Sequence, residues 1–260
     1  MILVDMNQVT LSNLMVQIGS KKELDPDLVR HMVLNSLRSY RSRFTDEFGE
    51  LVLCYDNKTN WRRDIFPNYK YSRRKDRKNS KLDWNSIFDA LHLIRDELIE
   101  YFPYKVLQVE NAEADDIIAS VVFHVAAEPK NYEKVLILSG DKDFIQLHHK
   151  NVQQWSPVTK KLVNGIEPHG YLFEHILKGD KSDGIPNILS ADDSIVNGVR
   201  QKPITKKYID NFVLHNAELN GRTDTEIRNF HRNEKLIDLK KIPEVLEKVI
   251  MVDFLSLIHI

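Results

Sequence analysis

The sequence predicts an α/β protein, a mostly parallel sheet with helices packed on its faces. Three observations carry that prediction. Short β-rich runs recur at residues 2–4, 51–55, 104–109 and 134–139. Segments with helical apolar spacing lie between them, the alternation expected of βαβ units. Acidic residues stand where strands should end or helices begin, and the carboxyl edge of an open α/β sheet is where ligands bind.

The first run, Ile2-Leu3-Val4, delivers Asp5. Pro26 and Asp27 open a helix expected to reach about residue 43, with Leu28, Met32, Leu34 and Leu37 among its apolar positions. The second run passes through Cys54 and Tyr55 to Asp56. Residues 58–82 show neither a strand pattern nor an apolar helical stripe, and read as a loop or arch. Asp83 caps a helix over 84–101 that carries Ile87, Leu91, Ile94 and Leu98 on one face. Another helix is expected over 114–127, striped by Ile117, Ile118, Val121, Val122 and Val125, with Glu113 and Asp115 at its positive end. The run at 134–139 leads to Gly140-Asp141-Lys142-Asp143. After about Glu167 the β signal fades into short helices. The expected division is therefore 1–166, with the arch at about 58–82, and a helical region at 167–254.

At 260 residues the chain can bury a substantial core. Cys54 is the only cysteine, so no intramolecular disulfide is possible and a reducing compartment is expected. No apolar run approaches the ~18–20 residues of a membrane span, and Met-Ile-Leu-Val-Asp has no basic leader, so a cytoplasmic protein without membrane contact is expected. The formal net charge is −1, but its distribution is uneven. From Lys58 to Lys81 ten Lys or Arg residues face only Asp64 and Asp76. Separating a cationic stretch from a set of carboxylates suits a protein that holds metal in one place and polyanion in another.

Singly, each acid has an ordinary reading as a turn residue or cap. In series, they point to chemistry. Two carboxylates about 4 Å apart repel by roughly 4 kcal/mol at an effective dielectric near 20. Convergence then calls for divalent cations, and all-oxygen ligands favour Mg²⁺, with Mn²⁺ able to substitute. The ten His residues offer no nucleophile–base pattern.

The order of these acids resembles the flap-endonuclease (5′-nuclease) family, whose fold is PIN-like, and within it the phage-encoded ribonuclease H branch. The stretches that carry the resemblance are Val4-Asp5-Met6-Asn7-Gln8, Cys54-Tyr55-Asp56-Asn57, Trp61-Arg62-Arg63-Asp64, Glu113-Ala114-Asp115-Asp116 and Ser139-Gly140-Asp141-Lys142-Asp143-Phe144-Ile145-Gln146-Leu147. Trp155-Ser156-Pro157 and Ile176-Leu177-Lys178-Gly179-Asp180-Lys181-Ser182-Asp183 complete them.

The resemblance implies two metal sites. Asp5, Asp56, Glu113 and Asp115 would hold the first; Asp141, Asp143, Asp180 and Asp183 would hold the second. Asp115 would bridge, and Asp116 would act through water or support the helix start. Two ions would stabilise the attacking and leaving oxygens of an in-line displacement by water. The 58–82 stretch would be a helical arch in which Lys70 and Arg62 assist catalysis. Tyr69 would stack on a displaced nucleotide, and Arg63, Arg73, Arg74 and Arg77 would grip nucleic acid.

Residues 179–207 would form a helix–turn–helix-type duplex grip with phosphate contacts from Arg200, Lys202, Lys206 and Lys207. A K⁺ near 184–190 is part of the family pattern, but Ile188-Leu189-Ser190-Ala191-Asp192-Asp193 lacks the glycine-rich hairpin that would hold it. The implied activity is 5′→3′ exonuclease and flap endonuclease action on DNA and RNA–DNA duplexes, removing RNA primers in lagging-strand replication. A monomer is expected, with single-strand-binding protein and sliding clamp as partners by resemblance. The rival readings are a PIN-like single-strand ribonuclease, which has little use for the arch, and a non-catalytic nucleic-acid binder, which gains nothing from carboxylates beside phosphate.

The last six residues, Leu255-Ser256-Leu257-Ile258-His259-Ile260, equal a translation of CTGTCTCTTATACACATC, a transposase adapter used in library preparation. Residues 255–260 are therefore expected to be a non-native tail on a chain that naturally continues.

Overall fold

The centre of the sheet is the first element of the chain, because Ile2, Leu3 and Val4 have no polar side chain and are fully buried. The structure, a computed structural model, describes residues 1–21, 24–127, 133–214 and 222–258. The elements run β1 (Ile2–Asp5), α1 (Met6–Lys21), α2 (Pro26–Phe48), β2 (Leu51–Cys54), α3 (Arg62–Ile65), α4 (Tyr71–Asn79), α5 (Trp84–Tyr101), β3 (Lys105–Leu107) and α6 (Ala114–Ala127). They continue β4 (Val135–Leu138), β5 (Val152–Ser156), β6 (Lys161–Val163), α7 (Pro168–Lys178), α8 (Lys206–Leu214), α9 (Asp224–Ile237) and α10 (Glu244–Ile258).

Two compact units result. One comprises Met1–Asn60, Asp83–Gly165 and Pro243–Ile260; the other comprises Trp61–Leu82 and Ile166–Ile242. The arch segment thus groups with the later helices, and α10 groups with the sheet.

The first unit is a six-stranded sheet in the order β3-β2-β1-β4-β5-β6. All neighbours are parallel except the β5–β6 hairpin. In register, Asp5 pairs with Cys54 and Val4 with Leu138, so the ends of β1, β2 and β4 share one edge. That edge carries the acids. Helix α6 packs on β1, β2 and α10, and Ile117, Ile118, Val121 and Val122 are almost fully buried. Each such side chain contributes about 1.5–3 kcal/mol.

Helix α2 begins where Asp25 accepts the Leu28 N–H at 3.1 Å and Pro26 pre-sets the first turn. It runs to Phe48, five residues past the expected end, and stops at Gly49 with φ +84°. Asp83 caps α5 by accepting the Asn85 and Ser86 N–H groups. Three elements of this unit lack a sequence signal. Helix α1 follows β1 without a loop, and β5 and β6 have weak patterns because Gln153 and Gln154 interrupt Val152-Gln-Gln-Trp-Ser. Pairing with β4 makes β5 a strand.

In the second unit, α7 and α9 pack together. Phe66, Tyr69, Ile176, Ile185, Leu236 and Ile237 form one core; Leu177, Ile188 and Phe212 form another. A Thr223–Glu226 capping box starts α9. Gly184 has φ +77°, and a Cβ there would stand 2.8 Å from the Asn68 carbonyl, so glycine permits both the turn and the close approach. Residues 58–82, without a stripe in the sequence, hold α3 and α4. Among the described residues no helix is long and apolar enough to cross a membrane. Helix α10 continues through Ile258; the last two residues of the suspected tail lie outside the described residues.

Candidate active site

Asp5 is the last residue of β1 and is 7% exposed. Its Oδ1 accepts the Gln8 N–H at 3.2 Å, and its Oδ2 accepts the Ser139 hydroxyl at 2.9 Å. Asp56, just past β2, accepts the Ala114 N–H at 2.8 Å and so satisfies the first turn of α6. The Asp116 carboxylate turns back to the Glu113 N–H at 2.9 Å and is fully buried, which ties it to the helix start. Glu113 is buried and Asp115 half-buried.

Asp141 is exposed, donates its N–H to Ser139 Oγ at 3.1 Å, and accepts the Asp143 N–H at 3.0 Å. Gly140 donates to Gln8 Oε1 at 2.5 Å, and a Cβ on it would meet Ser156 Oγ at 3.1 Å. The turn after β4 is therefore clasped from both sides.

The carboxylates of this edge act on one another. Burial pushes Asp5 up to about 7, Asp56 and Asp141 add repulsion, and the bonds from Gln8 and Ser139 oppose the rise. Burial raises the Cys54 thiol, with Asp5 and Asp115 adding to it. A carboxylate this buried and this repelled is an unfavourable anion until a cation shares the edge. The donor set, all carboxylate oxygen, fits a hard divalent ion.

The second unit holds Asp180 and Asp183. Burial alone would raise Asp180; the bonds from His175, Ser182 and Asp183 outweigh it and hold the carboxyl below the usual range. The Ser182 and Asp183 N–H groups reach its Oδ1 at 2.7 and 3.2 Å, and His175 Nε2 lies 3.7 Å from Oδ2. Asp183 is 8% exposed and sits among cations of the arch. Its carboxylate accepts the Tyr69 hydroxyl at 2.9 Å, is ion-paired to Arg73, and lies 3.6 Å from Lys70 Nζ. Its carbonyl accepts the Lys70 N–H at 2.7 Å, and Lys70 itself is left-handed with φ +54°.

The other arch residues divide by exposure. Arg73, Arg74 and Arg77 are exposed on α4. Arg62 is 3% exposed; its Nε donates to the Leu236 carbonyl at 2.9 Å and its guanidinium stacks on the Trp61 ring. Tyr69 is 3% exposed, with Lys70 Nζ 5.1 Å from its ring centroid. Stacking a nucleotide on Tyr69 would require this segment to rearrange. Arg63 is half-buried, and Arg200, Lys202, Lys206 and Lys207 are exposed.

Sequence reasoning missed the residues that orient the acids. Ser139, Gln8 and Gln154 have no charge and no spacing that marks them, and His175 lies on a helix face like many others. Gln8 and Ser139 stand in the stretches that carry the family resemblance, but nothing in the sequence attached a role to either.

A mostly parallel sheet with a carboxylate-lined edge, in a chain that also carries a cationic helical region, suits the class of phosphodiester-cleaving nucleases. The family described as 5′-3′ exonuclease, N-terminal resolvase-like domain, matches residues 17–171. Ribonuclease H of Enterobacteria phage T4 is 36% identical over 253 residues, 93% of this chain and 82% of that protein. DNA polymerase I of Bacillus caldotenax is 28% identical over 215 residues, 75% of this chain but 22% of that polymerase. In fold, the chain matches a zinc-bound T5 5′-exonuclease with TM-score 0.67 and 17% identity, over 99% of this chain and 98% of that one. A T5 flap endonuclease in a pseudo-enzyme-product complex with DNA and metal ions matches with TM-score 0.63 and 18% identity, over 98% of each chain. The chain belongs to the 5′→3′ exonuclease and flap endonuclease family, and it is a nuclease.

Proposed function

We propose that the chain hydrolyses phosphodiesters at 5′ ends and flaps of DNA and RNA–DNA duplexes, removing RNA primers during lagging-strand replication, with two Mg²⁺ ions. The observation that carries this reading is Asp5, buried at the sheet edge and raised by burial and by Asp56 and Asp141. Asp5, Asp56, Glu113 and Asp115 would hold one ion at the sheet edge, and Asp141 and Asp143 would supply carboxylates for the other. Such a pair supplies charge to the attacking and leaving oxygens of an in-line displacement.

The side chains do the rest. The Gln8 backbone N–H and the Ser139 hydroxyl keep the Asp5 oxygens aimed. Asp56 and Asp116 fix the start of α6, which carries Glu113 and Asp115 to the edge. Lys70, whose Nζ lies 3.6 Å from Asp183, offers its charge to a phosphate. Exposed Arg73, Arg74 and Arg77 take phosphates of the unpaired strand, while Arg200, Lys202, Lys206 and Lys207 take phosphates of the duplex. None of these contacts reads a base edge, so structure rather than sequence selects the substrate. Arg62, buried against Trp61, acts by holding the arch to α9.

The test is cleavage of a 3′-labelled 5′-flap duplex with Mg²⁺ and with chelator. Metal-dependent products at the flap junction are expected, and Asp115→Asn is expected to lose cleavage while still binding duplex. Absence of metal-dependent cleavage by the wild-type chain sinks the reading.

A further inference from the structure

We infer that Gln154, held by His148, is a positioning residue of the carboxylate edge and sets its affinity for divalent metal. The inference rests on the proposed metal site. Gln154 lies on β5 and is 1% exposed. Its Nε2 donates to the Ser139 carbonyl at 2.9 Å and to the Asp141 carbonyl at 2.6 Å. Its Oε1 lies 2.8 Å from His148 Nε2.

These contacts fix the amide. Two carbonyls can only be met by the NH₂ end, which leaves Oε1 to accept from His148, so Nε2 of that imidazole carries the proton. The amide therefore has one orientation and both of its N–H donors in use.

What it holds is the turn that aims two of the acids. Ser139 gives its hydroxyl to Asp5 Oδ2 and receives the Asp141 N–H on the same oxygen. Asp141 in turn pushes on Asp5 through space. On the other side, Gln8 grips the Gly140 N–H and its own N–H meets Asp5. Gln154 is the buried donor that ties the carbonyls of this turn to β5. Without it, the Ser139 and Asp141 peptides are free to rotate. The Ser139 hydroxyl then loses its aim and Asp141 its distance from Asp5. Residues that orient metal ligands in this way typically change metal affinity by about 10–100-fold when removed.

A merely structural glutamine would behave differently. Its loss would lower stability and leave the metal affinity of the folded protein unchanged. The experiment titrates Mn²⁺ into the full chain without nucleic acid, following the free-ion EPR signal at 25 °C. Gln154→Met, which keeps the length and removes the polar end, is compared with wild type and with His148→Phe. The expected result is a Mn²⁺ midpoint raised about 10–100-fold in Gln154→Met. A smaller rise in the same direction is expected in His148→Phe, with unchanged stoichiometry at saturation.

Midpoints within about twofold of wild type in both variants overturn the inference, whatever happens to the melting temperature. If Gln154→Met does not fold, His148→Phe decides alone. Wild-type protein that binds Mn²⁺ and cleaves the flap, with unchanged variant midpoints, refutes only the inference. Wild-type protein that binds no Mn²⁺ refutes the metal site and the inference together.

Discussion

Replacing Asp5 by Asn should stabilise the metal-free protein at neutral pH while removing its response to metal. Asp5 is buried, and its carboxyl is raised from 3.8 to about 7, first by burial and then by Asp56 and Asp141. A raised carboxyl binds its proton more tightly in the folded state than in the unfolded one. Below about pH 4 both states are protonated, and the group contributes nothing. Between about pH 4 and 7 the unfolded chain has ionised and the folded chain has not, so stability falls by about 1.4 kcal/mol per pH unit. Above 7 the loss is complete, at about 4 kcal/mol for roughly three units.

Asp5→Asn never incurs that loss. Its amide oxygen can still accept the Gln8 N–H, and its nitrogen faces Ser139 Oγ. The serine proton must turn elsewhere, at a cost of about 1 kcal/mol. The net gain at pH 8 is about 3 kcal/mol, or a melting temperature higher by about 6 °C or more for a chain of this size. At pH 4.5 the variant should show no gain. The assay is thermal unfolding by circular dichroism in EDTA at pH 4.5, 6 and 8, repeated with Mn²⁺, which should stabilise wild type far more than the variant. A gain independent of pH, or a loss at pH 8, would refute the electrostatic argument.

Two further outcomes follow from the helical unit. Asp183→Asn relieves Lys70 and Arg73 of their shared carboxylate, so DNA binding in EDTA should tighten. Its dependence on log salt should steepen by about 1–2, at roughly 0.9 per added phosphate contact; an unchanged slope by fluorescence anisotropy would show that these cations do not reach phosphate. Asn229 donates its fully buried amide to the Ile188 and Ser190 carbonyls at 2.9 and 3.1 Å. Asn229→Ala leaves both without that donor and should cost about 2–4 kcal/mol, readable by urea unfolding. A cost under about 0.5 kcal/mol would mean that the turn finds other donors.

The chain order of Asp5, Asp56, Glu113, Asp115, Asp141 and Asp143 was legible because apolar runs and helix starts mark where each acid falls. The four strands with continuous apolar runs and the helices capped by Asp83 or opened by Pro26 were legible for the same reason. Strand β5 was not, since two glutamines break its pattern and only pairing with β4 gives it a place. Nor was α4, whose nine residues have no apolar stripe and no buried side chain.

By itself, then, the sequence determined the α/β class, the acids and their separation from a basic stretch, because charge and hydrophobic periodicity are local properties. Tertiary structure alone decided which neutral groups aim those acids. Ser139 reaches Asp5 across 134 positions, and Tyr69 reaches Asp183 across 114. Gln154 acquires its partners only when β4 and β5 lie side by side. A hydrogen bond depends on distance and direction in space, and spacing along the chain encodes neither.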